Sequence, residues 1–109
     1  MESVIASEKL LAQRPGEQAF EFIIEVGTPY RIAHDPEEWA CPISMKPLHY
    51  DLRDAHGNSS LQAICLATTL ALHLLQEFKQ LGGIVRYPNG TDCPLEAYSV
   101  GRMMKMFGG

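Results

Sequence analysis

The chain has 109 residues, a length typical of one domain with a modest hydrophobic core. Hydrophobic residues make up 46% of it and charged residues 20%, a balance typical of globular domains and not of disordered ones. The formal net charge of -4 argues against nucleic-acid binding through phosphate contacts.

The cysteines and the N-terminal segment indicate a cytoplasmic protein. There are three cysteines, an odd number with no Cys-x-x-Cys pair, which favours a reducing compartment over a disulfide scaffold. The segment MESVIASEKLLAQRPGE contains Glu2 and Glu8 and has no long apolar run, so it does not resemble a signal peptide. From the chain length we expect a single domain over residues 1–109.

The first predicted element is a β-hairpin. A first strand over residues 4–12 is followed by Pro15 and Gly16, where a fixed φ and a freely positive φ predict a type II turn. Beyond the turn, AFEFIIEV largely alternates, as a half-buried strand does. Its predicted inner face consists of Phe20, Phe22, Ile24 and Val26.

A strand near the edge of the sheet is expected next. Residues 27–38 are predicted to be a loop, because they contain Gly, two Pro and three acids. The run WACPISMKPL then alternates, but Pro42 and Pro47 cannot donate hydrogen bonds to a neighbouring strand. This strand should therefore lie at an edge or contain a break. Residues 49–58 are mostly polar and end in His-Gly-Asn, a predicted turn into the next element.

A long helix is predicted from Ser60 to Leu81. Ser59 and Gln62 have the spacing of a capping box, with Asn58 as a rival N-cap, and two glycines follow Leu81. The most apolar part, residues 61–75, is shorter than the roughly 20 residues that cross a bilayer, so no membrane span is expected.

The apolar surface of this helix is unusually wide. At about 100° per residue the apolar arc covers roughly 200°, about twice what a surface helix needs. One sheet would not cover such an arc. The Met-rich tail, a second copy of the chain or another protein must cover one flank. The polar stripe opposite consists of Gln62, Thr69, His73, Gln76 and Gln80.

Taken together, these elements predict an α+β fold. IVRY is a short strand candidate after the helix, and a short C-terminal segment follows the turn at PNG. The expected architecture is an antiparallel sheet of three to four strands, a β-hairpin plus an edge strand, with one long helix packed across it.

Two of these elements resemble a known family. WACPISMKPL, the following loop with His56-Gly57, and SLQAICLATTLALHLL are similar to small uncharacterised bacterial proteins with a Trp-x-Cys-Pro strand before a Ser-Leu-Gln-Ala helix. The similarity spans Phe20 to Arg86. It implies a bacterial protein with an antiparallel sheet and one main helix, and it supplies no catalytic residues, because the family has no established activity.

Metal and thiol chemistry have only weak support. The side chains of suitable type are Cys41, Cys93, His34, His49 and His56. Their spacings are long and irregular, and neither Cys65 nor Cys93 lies in a catalytic motif. We therefore predict no catalytic residue, no metal site and no cofactor. A small metal- or thiol-dependent enzyme remains the alternative.

Acidic and aromatic residues provide the main functional hypothesis. Carboxylates around aromatic anchors can attract a basic protein and disfavour other partners. The candidate residues are Tyr30, Asp35, Glu37, Glu38, Trp39, Asp51 and Asp54. We expect a non-enzymatic protein-binding protein, for example an immunity or antitoxin-like protein that masks its partner. A homodimeric structural domain is the second alternative.

Overall fold

A computed structural model describes residue 1 and residues 3–98. They form two antiparallel sheets, one long helix and a short 3₁₀ helix, which confirms the predicted α+β class. In chain order the elements are β1 Val4–Gln13, β2 Phe20–Gly27, β3 Tyr30–His34, β4 Glu37–Cys41, β5 Ile43–Ser44, β6 Ala55–Gly57, α1 Ser60–Gln80, β7 Ile84–Arg86 and the 3₁₀ helix Leu95–Tyr98. The predicted tail beyond Tyr98 lies outside the described residues.

The larger sheet contains the predicted hairpin. Its strand order is β5-β2-β1-β7, with all neighbours antiparallel. The β1–β2 turn has Gly16 at φ 75°, and the Glu17 amide donates to the Arg14 carbonyl at 3.1 Å. Leu10 lies opposite Phe22 on the inner face, and both side chains are buried. The alternation in β2 therefore predicts the core face of this sheet.

The smaller sheet, with the order β3-β4-β6, corrects two loop predictions. Residues 27–38 contain β3 and the start of β4, and residues 49–58 end in β6. The turn-forming residues that favoured a loop lie between these strands, at Thr28-Pro29 and Asp35-Pro36. The strands themselves have five residues or fewer, too few for a clear period of two.

Pro42 divides one predicted strand between the two sheets. β4 pairs with β3 and β6, whereas β5 pairs with β2 at the edge of the larger sheet. Because Pro42 has no amide hydrogen to donate, the chain leaves one sheet there and joins the other. The Pro42 carbonyl still accepts a hydrogen bond from the Gly27 amide at 2.9 Å. The predicted break is confirmed. After it β5 lies at a sheet edge, whereas β4 is the central strand of the smaller sheet.

The helix termini follow the predicted signals. Ser59 is the N-cap, and its side chain accepts the Gln62 amide at 3.1 Å. The Gln62 side chain accepts the Asn58 amide, one residue before the capping-box position. At the other end Gly82 has φ 94°, and the amides of Gly82 and Gly83 donate to the carbonyls of Lys79 and Phe78. These two bonds form a Schellman motif, which satisfies the last carbonyls of the helix.

Small residues let α1 lie close to both sheets. Its buried side chains recur every four residues, at Ala63, Ala67, Ala71 and Leu75. The helix contacts β4 and β6 of the smaller sheet and β2, β5 and β7 of the larger sheet. At Gly57 the approach is closest, because a Cβ there would lie 2.7 Å from the Ala63 backbone nitrogen.

The length of α1 does not decide whether this helix spans a membrane. α1 has 21 residues and reaches a mean hydropathy of 1.3 over an 18-residue window, so by length and composition it could cross a bilayer. The predicted exclusion by length counted only residues 61–75. Only 22% of the 18-residue window is buried, along one alanine face that contacts strands of both sheets.

The contact at Gly57 gives a stability prediction. We expect Gly57→Ala to lower the free energy of unfolding by about 3 kcal/mol, because the new methyl group would meet backbone atoms of α1. Gly16→Ala is the matched control. Nothing lies within 4 Å of its Cβ position, so only its positive φ is strained and the cost should be about 1 kcal/mol. Urea denaturation measures both. Equal costs would contradict the close contact between β6 and α1.

Candidate protein-binding surface

The predicted binding residues lie on or beside the three-stranded sheet. Tyr30 begins β3, and Asp35 lies in the β3–β4 turn. Glu37, Glu38 and Trp39 belong to β4. Asp51 and Asp54 lie in the segment between β5 and β6.

Strand β3 carries the exposed apolar side chains of this surface. It is an edge strand whose neighbour in the sheet is β4. Tyr30 is 47% exposed and Ile32 is 46% exposed. The register of β3 against β4 shifts between Arg31 and Ala33, so Ile32 lies at a β-bulge. Bulges redirect side chains and protect sheet edges. Ile32, two residues after Tyr30, is thus an exposed apolar side chain on an edge strand.

Tyr30 is held in place by Asp54. The Tyr30 hydroxyl donates to Asp54 Oδ2 at 2.5 Å. This hydrogen bond to a carboxylate raises the pKa of the Tyr30 hydroxyl above its ordinary value. On the same face, Tyr30 lies opposite Ala40, and Ala40 lies opposite His56. Ala40 is fully buried, so this outer face has a small apolar centre of its own.

The second aromatic side chain is fixed by Glu37 and Arg31. Trp39 Nε1 donates to Glu37 Oε1 at 2.7 Å, and Arg31 Nη2 donates to the same oxygen at 3.2 Å. The Arg31 guanidinium lies 5.1 Å from the centre of the Trp39 ring, within cation–π range. The indole N–H, and with it the Arg31 charge, lowers the pKa of the Glu37 carboxyl. Three side chains thus hold one another in a defined geometry.

The acids form pairs more than a continuous negative patch. Glu38 Oε2 lies 2.7 Å from His56 Nδ1, Glu37 pairs with Arg31, and Asp54 accepts from Tyr30. Among the described residues Asp35 and Asp51 have neither a side-chain hydrogen bond nor an ion pair. The sequence showed how many carboxylates this region has. Their pairing depends on β3 and β6, which the sequence pattern did not reveal.

The candidate metal and thiol residues are dispersed. Within residue 1 and residues 3–98, no three His, Cys, Asp or Glu side chains are placed to hold one metal ion. Cys41 is buried and its thiol points at the Gly27 carbonyl, 3.4 Å away. Burial raises the pKa of both the Cys41 and Cys93 thiols, which is opposite to the activation that a nucleophilic thiolate needs.

The sequence pattern did not predict one feature of this fold. A cavity of about 350 Å³ opens between the larger sheet and α1, and Cys93 lines its wall. Glu8 lines this cavity from the inner face of β1, where it lies directly opposite Ile24 of β2. The carboxylate of Glu8 at an inward-facing strand position could have indicated this cavity. The irregular alternation in β1 hid that position, because it did not show which residues face inward.

Comparison with known proteins finds no match for this chain. No family model matches the chain, and neither a curated protein nor a solved structure does so. The resemblance to small bacterial proteins therefore stays a prediction, and function must be argued from the surface itself.

Thiol accessibility gives a direct chemical prediction. Cys65 is exposed on α1, whereas Cys41 and Cys93 are buried. With a disulfide reagent at neutral pH, we expect one thiol to react quickly in the native protein. The other two should react slower by roughly a factor of 100 or more, because they require opening of the fold. Cys65→Ser is the control and should remove the fast phase. A fast phase that persists in this variant would favour the thiol-dependent alternative.

Proposed function

We propose that the chain is a non-enzymatic protein-binding protein of bacterial origin and that its three-stranded sheet provides the binding surface. The observation that carries this proposal is the Tyr30–Asp54 hydrogen bond, which fixes an exposed aromatic side chain beside the exposed Ile32. Tyr is one of the side chains that most often dominate protein interfaces, and Tyr30 lies on the outer face of this sheet. Trp39 and Arg31 lie on the opposite face, where Trp39 is half-buried and packs against the core.

Preorganisation supports this assignment. A flexible side chain that becomes fixed on binding costs about 0.5–1.5 kcal/mol. Tyr30 is already held by Asp54. This side chain would therefore lose little freedom when a partner packs against it.

Charge at the rim favours a basic partner. Asp35 and Asp51 have no intramolecular partner among the described residues, so both carboxylates are available to a cationic surface. Such charges act mainly on association rate and partner choice. An immunity or antitoxin-like protein that covers a basic toxin surface is the specific form we propose, by analogy of size and charge.

The two alternatives have narrower support. A homodimer could use the same β3 edge and Ile32, and it would show concentration-dependent association. A thiol-dependent enzyme has less support from the geometry, because Cys41 and Cys93 are buried and burial raises the pKa of each.

The test compares two edge-strand isoleucines. Ile32 in β3 and Ile84 in β7, 38% exposed, lie on edges of different sheets. We expect a partner cross-linked to the wild type in source cells to be lost with Ile32→Asp and retained with Ile84→Asp. Purified partner should bind Tyr30→Ala more weakly by roughly 30-fold, which corresponds to about 2 kcal/mol.

Three outcomes would contradict the proposal. The first is equal loss of the partner in both aspartate variants, and the second is equal retention in both. The third is self-association of the wild type that Ile32→Asp abolishes, which would establish the homodimer instead. For the immunity form, the product of the adjacent gene is the partner to test. Absence of binding by calorimetry would remove that form.

A further inference from the structure

An Asn-Gly pair lies at the tip of a small hairpin that follows β7. Residues 88–90 form the turn of this hairpin, and all three are exposed. Gly90 has φ 90°, and nothing lies within 4 Å of the position that a Cβ would take there. The peptide between Asn89 and Gly90 is therefore open to solvent and free to rotate when the turn opens.

The Asn89 side chain is folded back over this peptide. Its Oδ1 accepts the Thr91 amide at 3.0 Å and the Thr91 hydroxyl at 2.7 Å. The bond from the Thr91 amide closes an Asx turn, a ring that passes through the backbone of Gly90. The side-chain carbonyl carbon of Asn89 is thus held in one ring with the Gly90 nitrogen, and two donors point at the oxygen of that carbonyl.

This arrangement has the parts of an intramolecular acyl transfer. When the Gly90 nitrogen attacks Cγ of Asn89, negative charge develops on Oδ1, and preorganised hydrogen-bond donors stabilise such charge. The new bond from Cγ to the Gly90 nitrogen closes a succinimide ring, and the bond from Cγ to the side-chain nitrogen breaks. The Gly90 amide proton passes through water to the departing amino group, which leaves as ammonia. Water then opens the succinimide at either carbonyl, which gives aspartate or isoaspartate.

One contact restrains this reaction. The Gly90 amide donates to the Tyr87 carbonyl at 2.9 Å, so its proton is held within the turn. The turn must open at this bond before the nitrogen can attack. Opening of an exposed turn costs far less free energy than global unfolding, because few buried contacts hold it. The reaction therefore needs only local opening of the hairpin tip.

We propose that Asn89 is a site of spontaneous deamidation in the native protein, promoted by the two Thr91 donors. The reaction adds a negative charge at the hairpin tip and, in isoaspartate, an extra backbone carbon between residues 89 and 90. This inference goes beyond the proposed binding function and does not depend on it, because that surface lies on the other sheet.

Isoaspartate at this position loosens the hairpin. The contacts that close it are the Tyr87–Thr91 hydrogen bond at 2.8 Å, the Arg86–Asp92 bridge and the Val85–Cys93 hydrogen bond at 3.2 Å. An extra backbone atom at the tip shifts one arm against the other, as an inserted residue does at a bulge. Cys93 is buried where the hairpin joins the core, so the isoaspartate form should expose its thiol more often.

Mass spectrometry of peptides from aged native protein tests the inference. The protein is kept at mildly alkaline pH, and the mass change from amide to acid is followed at each asparagine. Asn58 is the matched internal control, because it is also exposed but is followed by Ser59, the N-cap of α1. We expect Asn89 to deamidate faster than Asn58 by roughly 10-fold or more. Thr91→Val removes the hydroxyl donor and should slow the reaction by roughly 5-fold, the effect of one exposed hydrogen bond.

Three results would overturn the inference, and the first two need only the wild type. The first is an unchanged Asn89 in native protein under conditions where the urea-unfolded chain deamidates, which would show that the turn protects this amide. The second is equal rates at Asn89 and Asn58. The third is an unchanged rate in Thr91→Val, which would remove the role of the hydroxyl.

Thiol labelling tests the effect on the hairpin. In the Cys65→Ser background, the isoaspartate fraction should react with a disulfide reagent at Cys93 faster than the unmodified fraction. Equal rates in the two fractions would overturn the loosening of the hairpin.

Discussion

Close packing of the alanine face of α1 against strands of both sheets determines the rest of this structure. Ala63, Ala67 and Ala71 project only methyl groups, so the helix backbone approaches the strands closely. Gly57 has no side chain at all where β6 meets the first turn of α1. A larger residue at any of these positions would push the helix away from a sheet, and interiors packed at native density tolerate little added volume.

The two sheets depend on each other through this helix and through Pro42. The chain passes at Pro42 from β4 in one sheet to β5 in the other, and α1 then packs against strands of both. The small sheet has three short strands and would gain little stability alone. Contact with α1 therefore fixes β4 and β6, and these strands in turn hold Trp39, Glu37 and the outer face around Ala40. The proposed binding surface is thus a consequence of helix packing.

The sequence predicted the parts of the fold that have long, regular patterns. The hairpin, the break at Pro42 and both helix caps follow from residue types whose backbone preferences are strong. It did not predict β3 or β6, because three to five residues show no clear alternation and their turn residues dominate the window. Whether Asp54 meets Tyr30, or Glu38 meets His56, depends on strand pairing between distant segments. The candidate residues could therefore be named from the sequence, whereas their pairing and the cavity between the larger sheet and α1 could not.

Native-state hydrogen exchange tests the coupling of the sheets most directly. If the alanine face of α1 joins them into one cooperative unit, the slowest amides of β2 and of β4 should exchange through the same global unfolding, with free energies that agree within about 0.5 kcal/mol. Both values should fall together as denaturant is added. Exchange of the β4 amides at a clearly lower free energy, while the β2 amides stay protected, would show that the small sheet opens independently and would contradict this account.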